Sequence, residues 1–140
     1  MNDRLTAVAD RIELTELVAR EAFWLDAHRI EGAEAFFTDD VTAATPGGEA
    51  EGVADLAALA HRSHHEYERT HHIPSGIVVD LDGDAAEIRF SAVVVFNRHD
   101  GQVLVRTARY RLEARRTGAG WRFSRLEITP AAGTAPLQGD

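Results

Sequence analysis

The sequence predicts an α+β fold, with helices first and antiparallel strands afterwards, on the strength of three observations. Up to about residue 69 the apolar residues return at three and four positions. Beyond it they alternate within runs rich in β-branched and aromatic residues. Those later runs are separated by Asp82-Gly83-Asp84, Asp100-Gly101 and Gly118-Ala119-Gly120, which supply the positive-φ residues of hairpin turns. The length of 140 residues, 44% of them apolar, fits one domain with its own core.

Asp3 to His28 reads as the first helix. Leu14, Leu17, Val18, Trp24 and Leu25 share an arc of about 120°, and Glu21 and His28 fall inside it. A second short helix is expected over Glu31 to Phe37, followed by an extended stretch from Val41 to Thr45 and a turn at Pro46-Gly47-Gly48. Val53 to about Arg69 forms the third helix, with Val53, Leu56, Leu59, Ala60, Ser63 and Tyr67 on one face. The strands follow as Ile77 to Leu81, Ala86 to Phe96, Val103 to Ala114 and Trp121 to Ile128. Residues 1–128 make a single domain, and 129–140, poor in residues worth burying, read as a loose tail. Val93 and Val95 are apolar on the face opposite Ile88, Phe90 and Val94, which points to a homodimer through the sheet face or to a second core layer.

Composition removes whole classes of chemistry. Every basic residue is arginine and cysteine is absent, which excludes Schiff-base lysines, thiol nucleophiles, disulfides and Cys-ligated zinc. The net charge is −8, and the acids concentrate in residues 1–60, a poor match for a phosphate backbone. No nucleic-acid partner is expected. No apolar run is long enough to cross a bilayer and the start MNDRLTAVADR is a charged helical opening, so a cytoplasmic protein without a membrane partner is expected.

A carboxylate inside an apolar helix stripe is unfavourable unless it is paired or protonated. Glu21 is therefore either a salt-bridged or wetted structural group, or a cavity acid or base with a raised pKa. Five of the seven histidines crowd into residues 61–72. His61, His65 and Glu68 lie off the apolar stripe of their helix and read as solvated surface, so no metal site is expected. His71 and His72 precede an apolar strand, where one of two adjacent side chains points inward as a core histidine or a general base. Arg106 is in phase with Leu104, Ala108, Tyr110 and Leu112, so alternation carries its guanidinium inward, either to an anionic substrate group or to Glu21. Arg109, Arg111 and Arg115 take the opposite, solvated phase. Trp24 and His28 on the helix arc, Tyr110 beside Arg106, and His71 complete the candidate substrate contacts.

The order of these parts resembles the SnoaL-like branch of the nuclear transport factor 2-like superfamily, to which scytalone dehydratase, bile acid dehydratase and hexachlorocyclohexane dehydrochlorinase belong. The likeness is carried by Leu17-Val18-Ala19-Arg20 leading to Leu25-Asp26, by Phe36-Phe37-Thr38-Asp39-Asp40-Val41, Glu51-Gly52, Thr70-His71-His72, Leu81-Asp82-Gly83-Asp84-Ala85, Arg109-Tyr110 and Gly120-Trp121-Arg122-Phe123. It implies a cone-shaped curved antiparallel sheet, covered by about three N-terminal helices, around an internal pocket. It also implies a catalytic His72 working with Asp26, and a cofactor-independent lyase, isomerase or cyclase, dehydration first, acting on a small and largely apolar metabolite such as a polyketide-like compound. In that chemistry a neutral imidazole takes a proton, a carboxylate fixes its tautomer, and no cofactor is required. The sequence departs from the family at Glu21, where tyrosine is frequent, and at Gly76, where asparagine is common. An ideal wheel also puts Asp26 about 80° outside the apolar arc, so a bend after Leu25 is needed. Two other readings stay open: an epoxide hydrolase or epoxide-opening cyclase using Glu21 and Asp26 beside Arg106, and a non-catalytic ligand-binding dimeric module.

Overall fold

The computed structural model describes residues 3–134. Its elements in chain order are α1 (Asp3–Asp26), a 3-10 turn (Ala33–Ala35), β1 (Phe37–Thr45), β2 (Gly48–Glu51), α2 (Val53–His64), β3 (Arg69–Asp82), β4 (Ala85–Asn97), β5 (Val103–Thr117) and β6 (Gly120–Gly133). The strands form one sheet in the order β2-β1-β6-β5-β4-β3. The sheet is not wholly antiparallel as expected, because β1 lies parallel to β6, with Ala43 opposite Leu126. Hairpin turns announce sequential neighbours, whereas this pairing joins strands far apart in the chain and leaves no local signal. Bulges between Ser75 and Val78 in β3, and at two places along β5 and β6, bend the sheet so that one face is concave. Gly76, at φ 64, supplies the left-handed residue of the first bulge.

Two helices and one short turn replace the three helices expected. Gly32 at φ 93 interrupts the segment before Ala33, and Phe37 is drawn into the sheet opposite Phe123, which leaves only the 3-10 turn. The second helix stops at His64 rather than Arg69, because Glu68 N–H donates to the Asn97 carbonyl and Arg69 pairs with Asn97. The strand expected from Ile77 therefore starts at Arg69 and carries both His71 and His72. Pro74 masks this start; β3 is the outermost strand, where a proline leaves no ladder partner unsatisfied on the free side. The last strand runs to Gly133, past the boundary expected at 128. Its final residues bury little, but Ala132 N–H donates to Thr107 Oγ1 at 3.0 Å and Thr134 N–H to the Val105 carbonyl at 2.9 Å. The rest of the expected tail, 135–140, lies outside the described residues.

Leu14 and Val18 of α1 pack on the concave face against Ile88, Trp121 and Phe123, all of them sealed from solvent. That end of the cone is solid. The convex face carries an ion-pair ladder, in which Arg111 reaches Glu87, Glu113 and Glu127, and a more apolar end at Ile73, Val93, Val95 and Val103. Arg115 pairs with Asp40 at 2.8 Å. No second layer covers Val93 and Val95 among the described residues. No helix among them is long and apolar enough to cross a membrane.

Candidate active site

Towards its open end the concave face and the two helices enclose a cavity of about 630 Å³, within the range of small-molecule sites. Alternation along β3 decides the histidine pair. Thr70 and His72 are buried on the concave face, and His71 is exposed on the other. His71 is thus no cavity residue, contrary to its candidacy as a substrate contact.

Asp26 closes the first helix. Its Oδ1 stands 2.6 Å from His72 Nδ1, its Oδ2 accepts the His72 backbone N–H at 3.0 Å, and Thr70 Oγ1 donates to Oδ1 at 3.1 Å. Burial pushes the Asp26 pKa up, but the hydrogen bonds from the His72 ring, the His72 backbone and Thr70 outweigh it and hold the carboxyl below its ordinary value. Asp26 is therefore ionised, and it fixes His72 as the tautomer with hydrogen on Nδ1. Nε2 is left as an acceptor with no partner among the described residues. His28 lies behind this pair rather than in the cavity. Its Nε2 meets Thr70 Oγ1 at 3.0 Å, and because the single hydroxyl hydrogen of Thr70 goes to Asp26, His28 is the donor. The helix ends two residues short of His28, which takes φ 55, and its ring sits against Thr70 and near the end of α2, outside the large cavity.

Glu21, one turn before Leu25, lines the cavity with no hydrogen-bonding or ionic partner among the described residues. Burial first, and the Asp26 charge second, push its pKa up to about 8, so at neutral pH it keeps its proton. Arg106 does not neutralise it. The guanidinium stands at the cavity mouth, 5.8 Å from the Phe96 ring centroid. Tyr110 faces the cavity from β5, stacked on Phe90 at 4.7 Å between centroids. Burial, followed by the charges of Glu21 and Asp26, raises its pKa. Trp24 is buried along the cavity wall; its Nε1 donates to the Glu31 carbonyl at 2.8 Å and its ring packs against Phe36 and Phe37.

Three contributors escape a reading of the sequence. Thr70 stands two residues before His72, a spacing that puts it on the same strand face once the strand is known to start at Arg69. His64 ends α2 with Nδ1 donating to the Ala60 carbonyl at 2.7 Å, its ring 5.1 Å from that of His72, and desolvation lowers its pKa to about 4. It is a neutral wall residue. The third is the wall formed by Pro130 to Thr134, where a tail was expected. His61 and His65 stack on the exposed side of α2 with ring centroids 5.4 Å apart.

A family model described as a SnoaL-like domain matches residues 6–127. Among solved structures, an NTF2-like protein with a cystatin-like fold from Novosphingobium aromaticivorans is 32% identical, with 95% of this chain and 89% of that chain covered and a TM-score of 0.81. The protein Kfla4162 from Kribbella flavida is 26% identical, over 91% and 95% of the two chains, at a TM-score of 0.84. A hexachlorocyclohexane dehydrochlorinase (LinA) type 2 shares the fold at 22% identity, over 99% and 93%, with a TM-score of 0.81. No curated protein matches the chain.

Proposed function

This chain belongs to the SnoaL-like domain family, and on that premise we propose that it is a cofactor-independent lyase or isomerase, a dehydratase first, acting on a small and largely apolar metabolite. The observation that carries the reading is the 2.6 Å contact between His72 Nδ1 and Asp26 Oδ1 beside the cavity, which leaves Nε2 as the base available to a substrate. His72 takes a proton from carbon. The ionised Asp26 stabilises the imidazolium that results, and un-ionised Glu21 adds an acid function in the same cavity. The proton removed and the hydroxyl expelled leave together as water. The dehydrochlorinase of the same fold, named for the loss of hydrogen chloride, is consistent with elimination as the reaction class.

Epoxide opening needs a carboxylate free to activate water. Both oxygens of Asp26 are occupied by His72 and Thr70, and Glu21 holds its proton, which weighs against that reading. Pairing of two copies through the apolar end of the convex face, at Ile73, Val93, Val95 and Val103, belongs to the same proposal and would be read by light scattering. The enzymatic test is a panel of hydroxylated polyketide-like compounds and epoxides, offered to the native protein, His72→Ala and Asp26→Asn. Dehydration by native protein, reduced about a hundredfold or more in His72→Ala, supports the reading. Equal turnover by native and His72→Ala protein contradicts it.

A further inference from the structure

Resting on the reading of His72 and Asp26 as the proton-transfer pair, we propose that Arg106 is an anion clamp at the cavity mouth, and that the substrate is a carboxylic acid whose apolar body fills the cavity while its carboxylate docks on that guanidinium. Among the described residues Arg106 is the only arginine lining the cavity, and it has no ionic or hydrogen-bonding partner there. Further along the same strand Arg111, Arg115 and Arg116 pair with Glu87, Asp40 and Asp10. Glu66, the one acid besides Glu21 in the described cavity wall, is exposed and makes no ion pair with Arg106.

The fold makes room for this side chain. His72, Val94, Arg106 and Gly133 stand opposite one another across β3, β4, β5 and β6. At Gly133 a Cβ would stand 3.1 Å from Arg106 Cγ and 3.0 Å from the Val105 carbonyl oxygen, so the bare backbone is what lets the arginine stem lie there. The guanidinium carbon lies 5.8 Å from the centroid of the Phe96 ring, and that ring is itself wedged by Tyr67 at 4.7 Å and His64 at 6.3 Å. An arginine held by Phe96 and by the Gly133 backbone gives up less freedom on binding than one loose in solvent. Two strand spacings separate Arg106 from His72, about 10 Å between Cα atoms. A ligand fixed at the clamp therefore presents to His72 Nε2 a carbon several bonds removed from its carboxylate.

Charge selects the ligand. Glu21 holds its proton, with a pKa of about 8, and His64 is neutral, with a pKa of about 4. With His72 neutral as well, Arg106 is the one cation of the described cavity wall at neutral pH. A single, permanently charged planar fork matches a carboxylate in geometry and in charge. A phosphate dianion would leave a negative charge uncompensated in a site that already holds ionised Asp26. The same Asp26 charge repels an anion from the His72 end and so sets the direction of entry, apolar end first.

Three fluorescent probes of one shape test the clamp without any turnover: 1-naphthaleneacetate, the neutral 1-naphthaleneethanol and 1-naphthyl phosphate. Native protein should bind the carboxylate about tenfold or more tighter than the alcohol, and tighter than the phosphate. Arg106→Gln should abolish that preference by weakening the carboxylate alone, with the alcohol within about threefold of native, and Arg106→Lys should retain part of it. Gly133→Ala, which crowds the arginine stem, should reduce the preference with Arg106 still present. No binding of the carboxylate to native protein, equal affinity for carboxylate and alcohol, or a preference unchanged in Arg106→Gln overturns the proposal. So does a phosphate bound more tightly than the carboxylate. His72→Ala should keep the native preference, which separates the clamp from the reading beneath it. Carboxylate binding that depends on Arg106, with no dehydration of the hydroxylated compounds by native protein, upholds the clamp and removes the elimination. Dehydration that depends on His72, with the probes indifferent to Arg106→Gln, removes the clamp alone.

Discussion

Asp10 and Glu21 are inward-facing carboxylates about three turns apart on the first helix, and the molecule treats them in opposite ways. Asp10 sits over the solid end of the cone. Arg116 donates to both of its oxygens at 2.8 Å, Trp121 Nε1 donates to Oδ1 at 3.0 Å, and the Arg116 guanidinium lies 4.7 Å above the Trp121 ring. The hydrogen bond from Arg116, the largest influence, lowers the Asp10 pKa despite burial. Glu21 sits over the open end with no such donor, and its pKa rises to about 8. The difference lies in what the sheet presents beneath each carboxylate. The end of the β5–β6 hairpin supplies a cation and an indole, whereas the middle of β5 supplies only a neutral phenol and space. A buried acid that the fold satisfies is architecture, and one that the fold leaves unsatisfied is available to a ligand.

Breaking the first half of this contrast should have the largest effect. Arg116→Ala removes both of its hydrogen bonds from the Asp10 carboxylate and uncovers Trp121, and it should lower the midpoint of a urea titration at pH 7. An unchanged midpoint would refute the structural role. Glu21→Gln should do the reverse. The pKa of Glu21 is about 8 in the folded protein against 4.5 as an isolated side chain, so the folded state binds more protons between those values. Stability therefore falls as pH rises from about 4.5 to 8, and the lost stability is fully lost above that window. Removing the titration should flatten this slope and leave Glu21→Gln the more stable protein at pH 7.5, by an amount on the order of 3 kcal/mol. Identical pH dependence in the two proteins would show that Glu21 ionises normally. The smallest effect belongs to Thr70→Val, which removes one of the hydrogen bonds to Asp26 and the contact to His28. Its kcat should fall about threefold to tenfold, with the acid limb of the pH profile displaced upward as Asp26 is held less firmly in its charged form. A uniform drop at every pH would assign Thr70 to packing alone.

How much of this was legible in the sequence depends on how local each feature is. The change from helical to alternating period, and the hairpin turns, are local, and they carry the α+β class. The inward position of Glu21 follows from the helical wheel alone. Asp26 does not, since the wheel turns it away from the apolar arc. It reaches His72 because the helix stops there and β3 passes close by, a fact of tertiary placement that only the family resemblance implied. The choice between His71 and His72 needed the true start of β3, which Pro74 and the bulge at Gly76 disguise. The pairing of Asp10 with Arg116, like that of β1 with β6, joins residues a hundred or so positions or many tens of positions apart and has no signature in either segment. Pro130 to Thr134 read as tail because their side chains bury little, and backbone hydrogen bonding to β5 is invisible in composition.

The central claim is that Glu21 is kept protonated by an unsatisfied position beside a cavity. The direct measurement is a carboxyl-carbon NMR titration of isotope-labelled protein, with the Glu21 resonance assigned by its absence in Glu21→Gln. A midpoint near pH 8 is the result expected here. A midpoint near 4.5, the value of an ordinary glutamate, would contradict it.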